Sequence, residues 1–269
     1  MEERGLALKK RWGQNFLVNR GARQRLVEIL SPRPQETVWE IGPGLGAMTE
    51  LLAGAAARVF AFEVDRGLCR FLEEGLRGRA SFTLVPGDFL ETWKETMQRQ
   101  GAPDRILGNL PYSAASLMIA DIIESGLRPT RMVFTVQREL ADRMTSPPGR
   151  KSYSSFSVLC QTCFDVADLG DLQPGSFYPV PEVVSSIVQM TAVAGAPSGE
   201  ELKRLSALAR SLFSSRRKTI RNNVKDGAAR EALEDALEKE GIDPSLRAEQ
   251  LPPSAFARLA RRLTGSSSP

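Results

Sequence analysis

The chain has 269 residues, 42% of them hydrophobic, enough for one large domain with a smaller appendage and a real apolar core. Lysine and arginine exceed aspartate and glutamate by 36 to 32 and the isoelectric point is near 9.1, an excess that points to a polyanionic partner only where the cations cluster. Histidine is absent, which excludes Ser/His/Asp and Cys/His nucleophile systems and His-based zinc sites; with no signal-like apolar core and no stretch of roughly 18 apolar residues, the expectation is a soluble cytoplasmic protein working through carboxylates, amides, aromatics and a cofactor.

The opening segment carries a small basic site, Lys9, Lys10 and Arg11. From Thr37 onward, short apolar and β-branched runs alternate with longer helix-like segments, the pattern of βα units around a parallel sheet. Strands are expected at 37–42, 58–64, 81–87, 104–110 and 131–137, with helices between them. The first two are apolar almost throughout and so belong in the middle of the sheet. After Gln137 two long strands are expected, within 152–170 and 182–193. They are joined by the aromatic- and proline-rich loop 171–181 as an antiparallel pair at the sheet edge. Cys160 and Cys163 then fall on a strand as small buried thiols, and with Cys69 they make an odd set of three, so no disulfide framework is expected. Residues 194–200 read as a linker, and about 201–263 as helical, broken at Gly241 and Pro252-Pro253. The division expected is a 1–195 α/β domain and a 200–265 helical domain.

Chemistry enters at VWEIGPGLGAMT, where Gly42, Gly44 and Gly46 follow a strand and a helix begins near Ala47. Glycine is required where the backbone turns sharply within contact distance of a ligand. A bare tight turn, a dinucleotide site and an S-adenosylmethionine site all fit this spacing. Either cofactor carries a ribose needing an acceptor at the end of the second strand, and Glu63 serves for both, with Asp65 as the alternative on the same strand face. Asp88, at the end of the third strand, can accept from an adenine amine or cap the following helix.

The fourth strand ends in Asn109-Leu110-Pro111-Tyr112, and this tetrapeptide discriminates. An adenine amine is a poor nucleophile, because its lone pair is delocalised into the ring. An enzyme that alkylates it must hold it with acceptors favouring a more tetrahedral nitrogen. The Asn109 side-chain carbonyl and the Leu110 backbone carbonyl, aimed by Pro111, suit its two N–H groups, and Tyr112 suits the base face. A sulfonium methyl then needs proximity and orientation rather than a strong base, which favours S-adenosyl-L-methionine over a nicotinamide cofactor.

In this order the motifs resemble the ribosomal RNA adenine N6-dimethyltransferases (rRNA adenine dimethylases), and within them the bacterial small-subunit branch. The resemblance covers nearly the whole chain: KKRWGQNFLVN, EIGPGLGAMT, AFEVDR, PGDF, NLPY, FYPVPEVVSS, SSRRKTIRNNV and GIDPSLRAEQL. It implies a Rossmann-like seven-stranded class I methyltransferase sheet with a small all-helical C-terminal domain. The cofactor-contacting set would be Asn15, Leu17, Gly42, Gly44, Glu63, Asp88 and Asn109. The catalytic set would be Asn109, Leu110, Pro111 and Tyr112, with Phe177 stacking the target base opposite Tyr112. The implied substrate is two adjacent adenosines near the 3′ end of small-subunit rRNA in an immature 30S particle, dimethylated by a monomer without metal. Glu182 stands where the family usually has lysine, Val184 where an acid is usual, and SAAS after Tyr112 in place of NIST.

For the RNA, RSLFSSRRKTIRNNVK supplies Arg210, Arg216, Arg217, Lys218, Arg221 and Lys225 with no acid between them, a phosphate-tracking pattern or else a solvated helix face. Other readings carried forward are an RNA-binding ribosome-assembly factor with secondary methylation, a large-subunit rRNA adenine methyltransferase, and a nicotinamide oxidoreductase.

Overall fold

The computed structural model describes residues 15–224 and 227–263. The chain forms two compact units. The first comprises the described residues up to Ile119 together with 129–141 and 167–191; the second comprises 120–128, 142–166 and the described residues from Ala192 on. The second unit therefore includes two segments that precede residue 200 by a wide margin.

The first unit opens with a two-residue strand, β1 (Phe16–Leu17), and helix α1 (Arg20–Leu30), whose cap Asn19 accepts from the Ala22 N–H at 2.9 Å. Then, in chain order and with α5 and α6 each divided between the two units, come β2 (Thr37–Ile41), α2 (Thr49–Ala53), β3 (Arg58–Glu63), α3 (Arg66–Gly75), β4 (Phe82–Pro86), α4 (Phe89–Gln100), β5 (Arg105–Asn109), α5 (Ala115–Glu124), β6 (Arg131–Gln137) and α6 (Arg138–Thr145). The expected five strands are all present, each within a residue of its expected bounds. Every residue of β2 is buried, as are all but the first of β3, which is what coverage on both sheet faces demands.

The region after Gln137 differs from expectation. Residues 155–163 form helix α7 (Ser155–Cys163), and only then does β7 (Phe164–Leu172) begin. The cause is local: Ser154 and Ser157 form a reciprocal capping box, with the Ser154 N–H donating to Ser157 Oγ at 3.0 Å. An apolar run with no periodicity of its own follows the cap into a helix. Cys160 and Cys163 consequently sit one turn apart on a buried helix rather than on a strand, as free thiols. The loop beyond β7 contains a further short strand, β8 (Phe177–Tyr178), before β9 (Ser185–Ala192).

Strands β2 to β7 and β9 make one sheet in the order β4-β3-β2-β5-β6-β9-β7. The first five are mutually parallel, and β9 runs antiparallel to β6. From β2 the chain winds outward through β3 and β4, then returns to the other side of β2 for β5 and β6. The switch point lies between β2 and β5, and an open α/β sheet has its binding crevice there, beyond the carboxyl ends of those strands. Behind it sits an edge-packed aromatic cluster, with ring centroids of Trp39 and Phe62 5.0 Å apart and those of Phe62 and Phe89 5.1 Å apart.

In the second unit α7 packs on α8 (Gly199–Leu212) and α11 (Pro253–Arg262), with α9 (Ile220–Asn223) and α10 (Gly227–Lys239) between the latter two in sequence. Tyr153, Phe213 and Phe256 form its aromatic core, and the Tyr153 hydroxyl donates to the Leu251 carbonyl at 2.9 Å. Among the described residues no helix is long and apolar enough to cross a membrane.

Opposite the crevice, Arg105 is 6% exposed. It pairs with Glu36, itself 8% exposed, and donates to the Leu30 carbonyl at 2.5 Å. Removing one partner of such a pair leaves a buried charge. Arg105→Met is therefore expected to cost roughly 3–5 kcal/mol in urea denaturation, and the Glu36→Leu/Arg105→Met double variant should recover most of it. A double variant no more stable than the single one would contradict this account of the pair.

Candidate active site

Two cavities meet at the switch point. The first is lined by Asn15, Phe16, Gly42, Gly44, Glu63, Val64, Leu68 and the tetrapeptide Asn109 to Tyr112. The second is lined by Gly42, Phe62, Glu63, Val64, Gly87, Asp88, Phe89, Pro111 and Met118, among others. Gly42, Glu63, Val64 and Pro111 face both, so together they make one bent cleft along the ends of β2, β3 and β5.

The glycine turn has the backbone that its sequence requires. Gly42 and Gly44 have φ of +71° and +57°, and a Cβ on Gly44 would come within 2.8 Å of the Phe16 ring. Any side chain there would be both strained and in collision. The helix after the turn starts at Thr49, two residues later than expected, and is short.

Glu63 ends β3 with its carboxylate turned into the cleft and only 4% exposed. It accepts from the Asp65 N–H at 2.8 Å and from the Gly44 N–H at 3.3 Å. Burial pushes its pKa up to about 7, against the lowering effect of those backbone donors. Asp65, the alternative acceptor, caps α3, taking the Gly67 N–H at 2.7 Å. Asp88 caps α4 through the Leu90 N–H at 2.9 Å and also lines the second cavity.

Below the turn lies a second carboxyl that the sequence reading passed over. Glu40 on β2 is fully buried, and neither of its oxygens has a hydrogen-bond partner among the described residues. Burial pushes it up to about 7, and the Glu63 charge adds to the rise. The Thr49 hydroxyl, the one group favouring its ionised form, is itself buried without a hydrogen-bond partner.

Asn109 ends β5 with its amide held on both sides. Its Nδ2 donates to the Asn15 carbonyl at 2.7 Å, and its Oδ1 accepts from the Thr135 hydroxyl. An amide oxygen has a second lone pair, which stays available to a ligand. Tyr112 is half-buried and its hydroxyl lies 2.6 Å from Ser185 Oγ, which fixes the ring at the cleft. Burial raises its phenol above the ordinary value. Thr135 and Ser185 were missed in the sequence. Ser185 lies in the FYPVPEVVSS motif, whereas Thr135 has no local signal and is identified only by its register opposite Asn109. Phe16, Val64, Leu68, Phe89 and Met118, the apolar walls, were also missed.

Leu17 and Phe177 are not in either cavity wall. They face one another across the β1·β8 ribbon and are 7% and 2% exposed, packed with Leu26, Met48 and Ile187 in the core. Phe177, expected to stack the target base, is packed in this apolar cluster. Phe16 lines the cleft instead.

The cations are also redistributed. Lys9, Lys10, Arg11 and Lys225 lie outside the described residues. Arg210 pairs with Glu124, Arg216 with Glu249 and Arg221 with Glu234, so three of the six expected free cations have counter-charges brought from distant sequence. Arg217 and Lys218 are exposed with no acidic partner among the described residues. No group of three or more Cys, Asp or Glu that could hold a metal occurs among the described residues.

The strand order, the glycine turn after β2 and the acidic end of β3 define an α/β methyltransferase fold of the Rossmann-like type. A family model for ribosomal RNA adenine dimethylase matches residues 5–265, and the chain belongs to that family. It is 43% identical over 224 residues to the ribosomal RNA small subunit methyltransferase A of Treponema pallidum, covering 83% of this chain and 78% of that one. Among solved structures it is similar to a dimethyladenosine transferase from Plasmodium falciparum, with a TM-score of 0.80, 22% identity and coverage of 91% and 95%. It is also similar to the 23S rRNA methyltransferase ErmE, with a TM-score of 0.68, 26% identity and coverage of 93% and 100%.

Glu40 and Glu63, neutral well above the ordinary carboxylate value of 4.5, stabilise the fold most in their protonated forms. That stability is complete below the ordinary value and is lost as pH rises through about 7. Stability is expected to fall as pH rises from about 4.5 to about 7, by at most about 1.4 kcal/mol per pH unit for each group, and the thermal midpoint to fall with it. Glu40→Gln and Glu63→Gln should each flatten that slope. Glu36, which Arg105 holds below the ordinary range, titrates outside this window. Unchanged slopes in both variants would assign the pH dependence to other groups.

Proposed function

We propose that the chain is an S-adenosyl-L-methionine-dependent enzyme that dimethylates the N6 amine of two adjacent adenosines near the 3′ end of small-subunit (16S) rRNA. It acts as a cytoplasmic monomer on an immature 30S particle. Residues 1–195 hold the cofactor and 200–265 meet the RNA. The observation that carries this reading is the fixed Asn109 amide, in one cleft with the glycine turn, Glu63 and Tyr112.

The cleft suits the cofactor. Gly42 and Gly44 hold the turn at positive φ, Glu63 offers a buried acceptor to ribose hydroxyls, and Asp88 beside Val64 and Phe89 offers an acceptor and apolar walls to adenine. The bound cofactor supplies an electrophilic sulfonium methyl. The protein supplies the orientation. The free lone pair of Asn109 Oδ1 and the Leu110 carbonyl accept the two amine hydrogens and favour a tetrahedral nitrogen, while Tyr112, braced by Ser185, presents its face to a base taken out of its stack. No histidine is needed, because the amine attacks in its neutral form and the proton shed at each transfer passes to solvent afterwards. The Treponema pallidum protein named above is by its name a ribosomal RNA small subunit methyltransferase, and its identity to this chain exceeds that of the 23S rRNA methyltransferase ErmE, 43% against 26%.

Incubation with radiolabelled cofactor and immature small subunits should label two neighbouring adenosines. Asn109→Ala is expected to lower kcat by roughly 10²–10³, the usual cost of one preorganised polar contact to the reacting centre. Thr135→Val should lower it less, through loss of amide orientation alone. If Asn109→Ala kept full methylation, the cleft would not be the transfer site. If it lost methylation yet supported normal assembly, the assembly role would be primary.

A further inference from the structure

Arg216 was expected to face RNA, but its hydrogen bonds point inward. It extends from the turn after α8 to the loop after α6, donating from Nη1 to the carbonyls of Lys151 at 2.8 Å and Tyr153 at 3.0 Å. From Nη2 it donates to the Arg150 carbonyl at 3.4 Å and to Glu249 at 2.5 Å. A guanidinium with its donors committed to three carbonyls and a carboxylate is a strut, and a lysine could not reproduce its forked geometry. The loop is held elsewhere as well. The Gly149 N–H donates to the Glu249 carbonyl at 2.7 Å, and the hydroxyls of Ser146 and Ser152 are 2.9 Å apart.

This crosslink sets two short segments side by side within the second unit. One presents Arg150 and Lys151, the other Arg217 and Lys218; all four are exposed, and none has an acidic partner among the described residues. Neighbouring cations of the same unit, Arg210 and Arg221, are by contrast matched to glutamates. Four unmatched cations on a pinned scaffold repel one another until a polyanion neutralises them, and a preordered surface loses little entropy on binding. Neither segment has the amphipathic helical form of a membrane-surface element.

We infer that Arg150, Lys151, Arg217 and Lys218 form one phosphate-binding surface for folded RNA, with Arg216 as the positioning residue that joins its halves. The inference rests on the proposal that the chain acts on rRNA, and it adds to the C-terminal basic segment a loop from the middle of the chain.

The test is the salt dependence of binding to immature small subunits, by filter binding between 50 and 300 mM KCl. Each phosphate contact contributes about 0.7–0.9 to the slope of log K against log salt. Arg150→Ala/Lys151→Ala is expected to lower the slope by about 1.5, as is Arg217→Ala/Lys218→Ala. Arg216→Lys should lower it by at least one such step with its thermal midpoint near that of the parent, and Lys203→Ala, whose partner is Glu200, should not change it. An unchanged slope in Arg150→Ala/Lys151→Ala, with a reduced one in Arg217→Ala/Lys218→Ala, overturns the joined surface while leaving the RNA reading intact. Unchanged slopes in both overturn the surface altogether. Loss of binding to the subunit by the parent protein itself would instead sink the rRNA proposal.

Discussion

The cleft depends on the two-sided restraint of the Asn109 amide. Asn109 and Thr135 are partners in the β5·β6 register, and the Thr135 carbonyl accepts the Leu110 N–H at 3.2 Å while its hydroxyl donates to Asn109 Oδ1. One threonine of β6 thereby sets both the direction of the amide and the path of the chain as it leaves the sheet. On its other side the amide donates to the Asn15 carbonyl, which draws β1 over the glycine turn and puts Phe16 where a Cβ on Gly44 would be. Asn109 is thus the point where the strand end, the turn and the N-terminal motif meet, and the switch-point topology makes the meeting possible.

The same crevice concentrates buried carboxyls. Glu63 has two backbone donors, one of them a long bond from Gly44 that a ligand hydroxyl can compete with, while Glu40 has none. Both are pushed to about 7 chiefly by burial, with the Glu63 charge adding to the rise at Glu40 and the Asp65 charge to that at Glu63. An acceptor that stays buried without a cation partner costs the fold stability, and such costs collect where a protein binds its ligand. Glu36 shows the opposite solution on the far side of the sheet, where Arg105 is supplied and the carboxyl is held low. All three carboxyls are shielded from solvent, and of the three Glu36 is the one paired with a cation.

Much of this was legible because the features in question are local. The five strands carry their own apolar pattern, and the glycine turn and NLPY are contiguous and bound to strand ends. The helix α7 was not legible, because SVLCQTCF is buried apart from Gln161 and Thr162 and shows no clear period, so two serines of a capping box decide what hydrophobicity leaves open. Thr135 was not legible either, since its importance comes from lying opposite Asn109 in the sheet. The basic segment is the clearest case. Its own sequence lacks acids, yet Glu124, Glu234 and Glu249 arrive from elsewhere to neutralise three of its arginines, and a charge run says nothing about counter-ions supplied by the fold.

The burial of Leu17 and Phe177 follows from the period of two in extended chain. In the β1·β8 ribbon Leu17 is opposite Phe177 and Phe16 opposite Tyr178, and partners across a ladder share a face. One pair must therefore enter the core together and the other must leave it. Leu17 and Phe177 are buried, whereas Phe16 reaches the cavity wall and Tyr178 is 50% exposed. A register shift of a single residue would exchange the two faces, placing a tyrosine hydroxyl among Leu26, Met48 and Ile187 with no polar partner provided there. That cost holds the register, and the register in turn decides that the first aromatic of the N-terminal motif, and not the leucine after it, closes the ligand cleft.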